Sequence, residues 1–253
     1  MGDLKLPSFR IRQWPSKSQW SRFFKVLSKK EKYVFFIFSF LTIFSFYFIV
    51  SEIYKGLTKE APAKGGTHIE GVLGQPRYVN PVYANSDADR DLVQLIFSGL
   101  MKYNENMEIV PDLAEKYDVS ADGKTYIFYL KNNIFWQDKT PITVDDIVFT
   151  IQTIQNPDYK SPIRANWVGV NVEKLNDTAV KFSIKQPYNS FLENCALKIL
   201  PSHIWKEISP QNFALSIYNL KPVGSGSYKI KDLNQEKSQI NSLTLVPNPI
   251  YYG

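Results

Sequence analysis

Residues 113–154 read LAEKYDVSADGKTYIFYLKNNIFWQDKTPITVDDIVFTIQTI, and their pattern decides the class of the fold. Leu113–Val119 and Thr125–Leu130 flank Asp122-Gly123, an Asp-Gly turn between two runs suited to strands, which predicts a β-hairpin. Thr143 then stands as an N-cap before Val144–Ile154, with Asp145 and Asp146 in the first turn and Asn156-Pro157 as the stop, which predicts a helix. Hairpin followed by helix points to a mixed α/β body with much antiparallel sheet.

The same signals recur outward from this stretch. Val170–Leu175 and Ala179–Ile184 form a second hairpin pattern around Asn176-Asp177. Asp87–Leu100 carries acids at its start and apolar residues at helical spacing, and Gly99 marks its end. Phe191–Ala196 suggests a short helix. Thr67–Leu73 alternates like a strand, and Tyr228–Ile230 with Ser242–Val246 predict a further strand pair.

Charge is unevenly placed. The chain of 253 residues has a net charge of +6. Residues 1–32 hold nine lysines and arginines against Asp3 and Glu31, residues 33–50 hold no charge, and residues 51–253 sum to −1. A nucleic-acid-binding body would be expected to carry its own basic face, so nucleic acid is set aside as a partner.

Tyr33–Val50, YVFFIFSFLTIFSFYFIV, is an apolar run of 18 residues. As a helix it spans about 27 Å, close to the thickness of a bilayer core. Arg22, Lys25, Lys29, Lys30 and Lys32 precede it, whereas Glu52, Lys55, Lys59 and Glu60 after it balance. The positive-inside rule then places the N-terminus in the cytoplasm and residues 51–253 outside. The long basic region before the run and the absence of a suitable cleavage triplet predict an uncleaved anchor in the cell membrane. Trp14 and Trp20 could rest on anionic headgroups, or the tail could simply be solvated. Pro62, Gly65 and Gly66 mark a tether before the body.

The sequence offers no catalytic constellation. Cys195 lies in the apolar stretch FLENCAL and reads as a core residue. His203 follows Pro201-Ser202 and reads as a structural turn. Asp145 and Asp146 diverge by about 100° on a helix, so they do not form a carboxylate pair. Gly224-Ser225-Gly226 lacks the lysine and spacing of a phosphate loop. Two distant histidines, His68 and His203, and one cysteine leave little for a metal, and no cofactor is expected. Aromatic and asparagine residues do gather in the expected loops, among them Tyr78, Asn80, Tyr83, Asn85, Asn166 and Trp167. They suit recognition of a ligand by shape and hydrogen bonding.

An ordered set of short signatures goes further. Leu95–Leu100 (LIFSGL), Pro111–Glu115 (PDLAE), Ser120–Tyr126 (SADGKTY), Phe135–Thr150 (FWQDKTPITVDDIVFT), Pro201–Trp205 (PSHIW), Pro222–Tyr228 (PVGSGSY) and Asn248–Gly253 (NPIYYG) follow one another along the chain. In this order they resemble the extracytoplasmic solute-binding proteins of family 5, the oligopeptide- and dipeptide-binding receptors of ATP-binding-cassette importers, over roughly residues 67–253. Two turns depart from the family pattern. Lys139 stands where Asp-Gly-Thr-Pro would have its glycine, and Ser227 stands in place of the proline of Gly-Thr-Gly-Pro-Tyr.

The resemblance implies an α/β fold: a lobe of the type II periplasmic-binding-protein kind with an inserted small α+β domain, preceded by one transmembrane helix. It implies a cytoplasmic tail at 1–32, a span at 33–50, a linker at 51–66, a first lobe from 67–100 and 199–253, and an inserted domain at 101–198. The final motif falls near the middle of family chains, so the resemblance also implies an N-terminal portion whose second lobe is absent. It further implies a non-enzymatic, monomeric binding subunit for a peptide or other small solute, working with membrane permease subunits. Nickel complexes, haem, sugars and opines are also family ligands. Asn85, Ser86, Asp87, Asn166 and Trp167 are the residues it would turn toward a cleft. The alternative is an anchored sensor or interaction protein using the same lobe.

Overall fold

The computed structural model describes residues 22–23, 25–58, 65–188, 190–237 and 239–253. The chain divides into two units, Met1–Ile69 and Glu70–Gly253. Trp14, Trp20 and Pro62 lie outside the described residues.

In the first unit, helix α1 covers Lys29–Leu57. Ser28 caps it: the hydroxyl accepts from the Glu31 N–H while the Glu31 carboxylate accepts from the Ser28 N–H. None of its residues is buried. The helix exceeds the apolar run at both ends, and at 29 residues its axis measures about 43 Å. The expected linker therefore starts as helix through Leu57, where Glu52 and Lys55 pair one turn apart at 3.2 Å.

The expected strand at Thr67–Leu73, which straddles the boundary between the two units, does not form. Residues 67–72 take no regular structure, and Ile69 and Leu73 are 89% and 97% exposed. The alternation is present, but among the described residues no strand pairs with it. Helix α2 (Asp87–Ile96) follows. It ends four residues before the expected Leu100 because another segment occupies the path. The Gly226 N–H donates to the Ile96 carbonyl (2.8 Å), and the Ser98 N–H donates to the Ser225 hydroxyl (3.0 Å). A Cβ on Gly224 would fall 1.9 Å from the Ile96 carbonyl oxygen, so this crossing requires glycine.

Strands β1 (Met101–Tyr103) and β2 (Ile109–Pro111) form a small antiparallel pair. The two expected hairpins, β3 (Ala114–Val119) with β4 (Thr125–Leu130) and β5 (Val170–Lys174) with β6 (Ala179–Ile184), join as one antiparallel sheet in the order β3-β4-β6-β5. Gly123 takes φ +66° in the first turn. In the second turn the Asn176 side chain accepts from the Thr178 N–H at 2.9 Å. Helix α3 (Val144–Gln155) lies between the hairpins in sequence. Its Ile147, Ile151 and Ile154 join Phe128, Val172, Val180 and Phe182 of the sheet in the core.

Three one-turn helices, α4 (Phe191–Asn194), α5 (Ser202–Trp205) and α6 (Pro210–Phe213), return the chain toward the first loops. A ribbon of β7 (Tyr228–Glu236) and β8 (Gln239–Pro247) completes the unit. It is longer than the strand pair expected there. One continuous hydrophobic cluster runs from Val79 to Phe213.

Candidate functional site

The loop after α1's unit is built on buried amide pairs. The Asn80 side chain donates to the Asn219 side-chain oxygen (3.0 Å) and accepts from the Val82 N–H (2.9 Å), while Asn219 donates to the Phe213 carbonyl (2.9 Å). Both asparagines are buried, so these bonds answer polar groups that would otherwise be costly. Tyr83 packs edge-on against Phe213 and tilts against Tyr78. Burial, with smaller effects from Tyr78 and Tyr159, pushes its phenol up to about 12.

The loop that follows Asn80 and the stretch that leads to Asn166 and Trp167 meet at one bond. The buried Ser161 hydroxyl donates to the Val82 carbonyl at 2.7 Å. Beyond Ser161 the chain is held by side chain to backbone bonds. Arg164 Nε donates to the Gln155 carbonyl, and Gln155 Nε2 donates to the carbonyls of Trp167 and Val170.

Asn85, Ser86 and Asp87 are exposed and form the start of α2. The Asn85 carbonyl accepts from Arg90, Ser86 is the N-cap, and Asp87 pairs with Arg90. Behind them the buried Asp89 accepts from the N–H groups of Arg77 and Tyr78 at 2.7 and 2.9 Å, which ties the incoming chain to the helix. Asn166 is also exposed. It borders an open depression of about 390 Å³ together with Gly169, Gln186, Tyr188 and Asn194. The Asn194 side-chain amide donates to the Tyr188 hydroxyl (2.7 Å) across this rim.

Trp167 differs from its expectation. Its ring is 2% exposed and packs 6.1 Å from Phe182 and 6.3 Å from Phe191, so it faces the core and not a cleft. A large aromatic with apolar neighbours on two other elements gains more from burial than from a wet loop. The contributions of Tyr188 and Asn194 were missed because neither sits in a recognisable motif.

A second open depression, about 560 Å³, is lined by Thr143, Asp145, Phe149, Gln152, His203 and Lys206 among others. Here Ser202, His203 and Asp138 lie near one another without forming a relay. His203 Nε2 meets Asp138 at 2.8 Å, but the Ser202 hydroxyl donates to Asp146 at 2.7 Å. Burial would raise the Asp138 pKa, yet the His203 ring and Thr140 outweigh it and hold the carboxyl below its ordinary range. Asp145 and Asp146 do diverge. Asp145 meets Lys174 in solvent, whereas the buried Asp146 also accepts from the Thr143 N–H, the Ser202 N–H and the Trp136 indole. First-turn placement accounts for Asp145, and the Asp146 carboxylate is in addition a hub of the core. Burial raises the Cys195 thiol pKa, as its core position implies. Among the described residues no group of three or more histidine, cysteine, aspartate or glutamate side chains could hold a metal. The site's chemistry is that of shape, amides and hydroxyls.

The sequence pattern of bacterial extracellular solute-binding proteins, family 5, matches residues 108–253. The chain is 30% identical over 178 residues to the oligopeptide-binding protein AppA of Bacillus subtilis, covering 69% of this chain and 33% of that protein. It is 26% identical over 207 residues to the dipeptide-binding protein of Escherichia coli, covering 71% and 38%. Thus it spans about a third of the length of these curated relatives. Among solved structures, AppA of Bacillus subtilis in complex with a nonapeptide superposes with a TM-score of 0.66 at 29% identity, over 72% of this chain and 36% of that one. NikZ of Campylobacter jejuni in complex with Ni(L-His) gives 0.62 at 31%, over 73% and 35%. These likenesses identify the body as part of a type II periplasmic-binding-protein lobe.

Proposed function

The chain belongs to the bacterial extracellular solute-binding proteins of family 5, and from that membership we propose that it serves as a membrane-tethered solute-binding subunit of an ATP-binding-cassette importer, capturing peptides outside the cell. The observation that carries the peptide reading is the likeness to a peptide-bound oligopeptide receptor at a TM-score of 0.66. The solute would lie against the exposed surface of Asn85, Ser86 and Asp87 and beside Asn166, with the buried Trp167 as a rigid support beneath. The amides of Asn85 and Asn166 and the hydroxyl of Ser86 suit a peptide backbone, whose own groups are amides, and the Asp87–Arg90 pair lies beside them. Such a site reads the ligand's main chain and tolerates varied side chains.

The tether is proposed from α1. It is an apolar helix of 29 residues, long and apolar enough to cross a membrane and without a buried residue. Its basic flank would stay in the cytoplasm, leaving residues 51–253 outside. A transmembrane anchor keeps the protein in the membrane fraction after alkaline carbonate extraction, whereas release into the soluble fraction rejects the tether. Binding is tested separately by calorimetric titration of the full chain with a mixed peptide library, and of variants at Asn166. Heat saturating with peptide, and reduced by Asn166→Ala, supports the reading. Saturation by a nickel–histidine complex with none by peptide would replace it with another solute of the same family.

A further inference from the structure

A run of cations gathers at the start of α1. Arg22, Lys25, Lys29 and Lys30 are exposed, and Lys32 is partly covered. Among the described residues none of the five has an ion pair or an aromatic ring to share its charge. The carboxylate of Glu31 is turned back to accept from the Ser28 N–H at 2.8 Å. At the far end of the helix, by contrast, Lys55 has a partner in Glu52.

The helix itself does not account for these cations. Lysines in a first turn oppose the macrodipole, which favours anions there. The rule that orients a span uses them during insertion and leaves open what faces them afterwards. Their placement answers that. At about 100° per residue, Lys29, Lys30 and Lys32 cover roughly 160° of the helix circumference, and Phe35 falls on the side they leave open. Phe23 packs edge-on against Phe35 at 5.7 Å, which carries the segment with Arg22 and Lys25 to that side. The cations therefore surround the helix. Lys29–Lys32 stand within about 6 Å of the apolar run that begins at Tyr33. Between the charges Phe23 and Val26 expose apolar surface, a mixture suited to the boundary between headgroups and acyl chains.

We propose that Arg22, Lys25, Lys29, Lys30 and Lys32 form a binding surface for the phosphate groups of anionic phospholipids, a ring of headgroups in the leaflet that the N-terminus faces. A nucleic acid would need its basic contacts along one face, whereas cations all round the helix at the edge of its apolar run meet lipid headgroups on every side. This inference rests on the membrane tether proposed above.

The test is electron paramagnetic resonance of the full chain reconstituted in phosphatidylcholine vesicles. These carry a trace of phosphatidylglycerol or phosphatidylcholine spin-labelled on the same acyl carbon. The motionally restricted fraction should favour phosphatidylglycerol about threefold to tenfold at about 0.1 M sodium chloride. It should approach equality at about 1 M, where screening acts within about 3 Å. Replacing Lys29, Lys30 and Lys32 together by glutamine should remove most of the preference, and replacing them by arginine should keep it. Equal restriction of the two labels in the parent overturns the surface, and that result needs no variant. A preference unchanged in high salt or in the glutamine variant also overturns it. Loss of the preference to millimolar free phosphate at constant ionic strength overturns lipid as the occupant. No restricted label of either kind rejects the tether, and the surface with it.

Discussion

Two segments begin with threonine, run for six or seven residues and alternate in the same way, yet they end in opposite states. Thr125–Leu130 (TYIFYL) is the inner strand β4, paired to β3 on one side and β6 on the other, with Tyr126, Phe128 and Leu130 buried. Thr67–Leu73 (THIEGVL) is irregular and exposed throughout. The local pattern is therefore insufficient for a strand. Ladder hydrogen bonds and a surface to cover must come from elsewhere in the chain, because an extended segment satisfies none of its own backbone groups. β4 has partners delivered by two tight turns, Asp122-Gly123 and Asn176-Asp177. Residues 67–73 have no adjacent turn to fold a partner back onto them.

The contrast can be broken most sharply at Phe128. It is fully buried and packs edge-on to Phe182 at 5.7 Å. Phe128→Ala should cost about 3–5 kcal/mol in denaturant unfolding of the body. Asp146→Ala should follow with about 1–3 kcal/mol, since it strands the donors of Trp136 and Ser202 that the carboxylate now accepts.

Acidification probes a smaller term. The folded Asp138 carboxyl has a pKa below its unfolded value, so its contribution is fully present above about pH 4 and is lost as pH falls through the folded value. The pair with His203 is about one-third exposed, and solvent screening should hold its contribution under about 1 kcal/mol. Urea unfolding from pH 6 down to pH 2 should show a shallower acid decline in Asp138→Asn than in the parent. Equal declines would assign the acid sensitivity to other carboxylates.

The smallest effect is expected at Ile69, 89% exposed in the unpaired segment. Ile69→Ser should change stability by less than about 0.5 kcal/mol. Amide hydrogen exchange sharpens the same comparison without mutation: residues 125–130 should be protected and residues 67–73 should exchange freely. Protection at 67–73 would mean that a partner strand covers them in solution.

Both hairpins and α3 were legible because their signals are local. A turn residue that tolerates the left-handed region, an N-cap and a proline stop act within a few residues. The family was legible because its motifs follow in order. The end of α2 was not, since Gly224 and Gly226 lie nearly 130 residues beyond Ile96 in sequence and stop the helix only by crossing it. Nor was the inward turn of Trp167, which depends on Phe182 and Phe191. At the candidate site Asn85, Ser86, Asp87 and Asn166 are exposed, and Tyr188 and Asn194 join the rim beside Asn166 only through the path of the chain after β6.

By itself the sequence determined the apolar helix, the placement of basic charge ahead of it, the hairpin turns and the family, all properties carried by neighbouring residues or by motif order. Only the tertiary structure decided which alternating segment becomes a strand, where α2 ends and that Asn80 answers Asn219. Those outcomes depend on burial and on hydrogen-bond partners far apart along the chain. Their energies exist only once the segments have met.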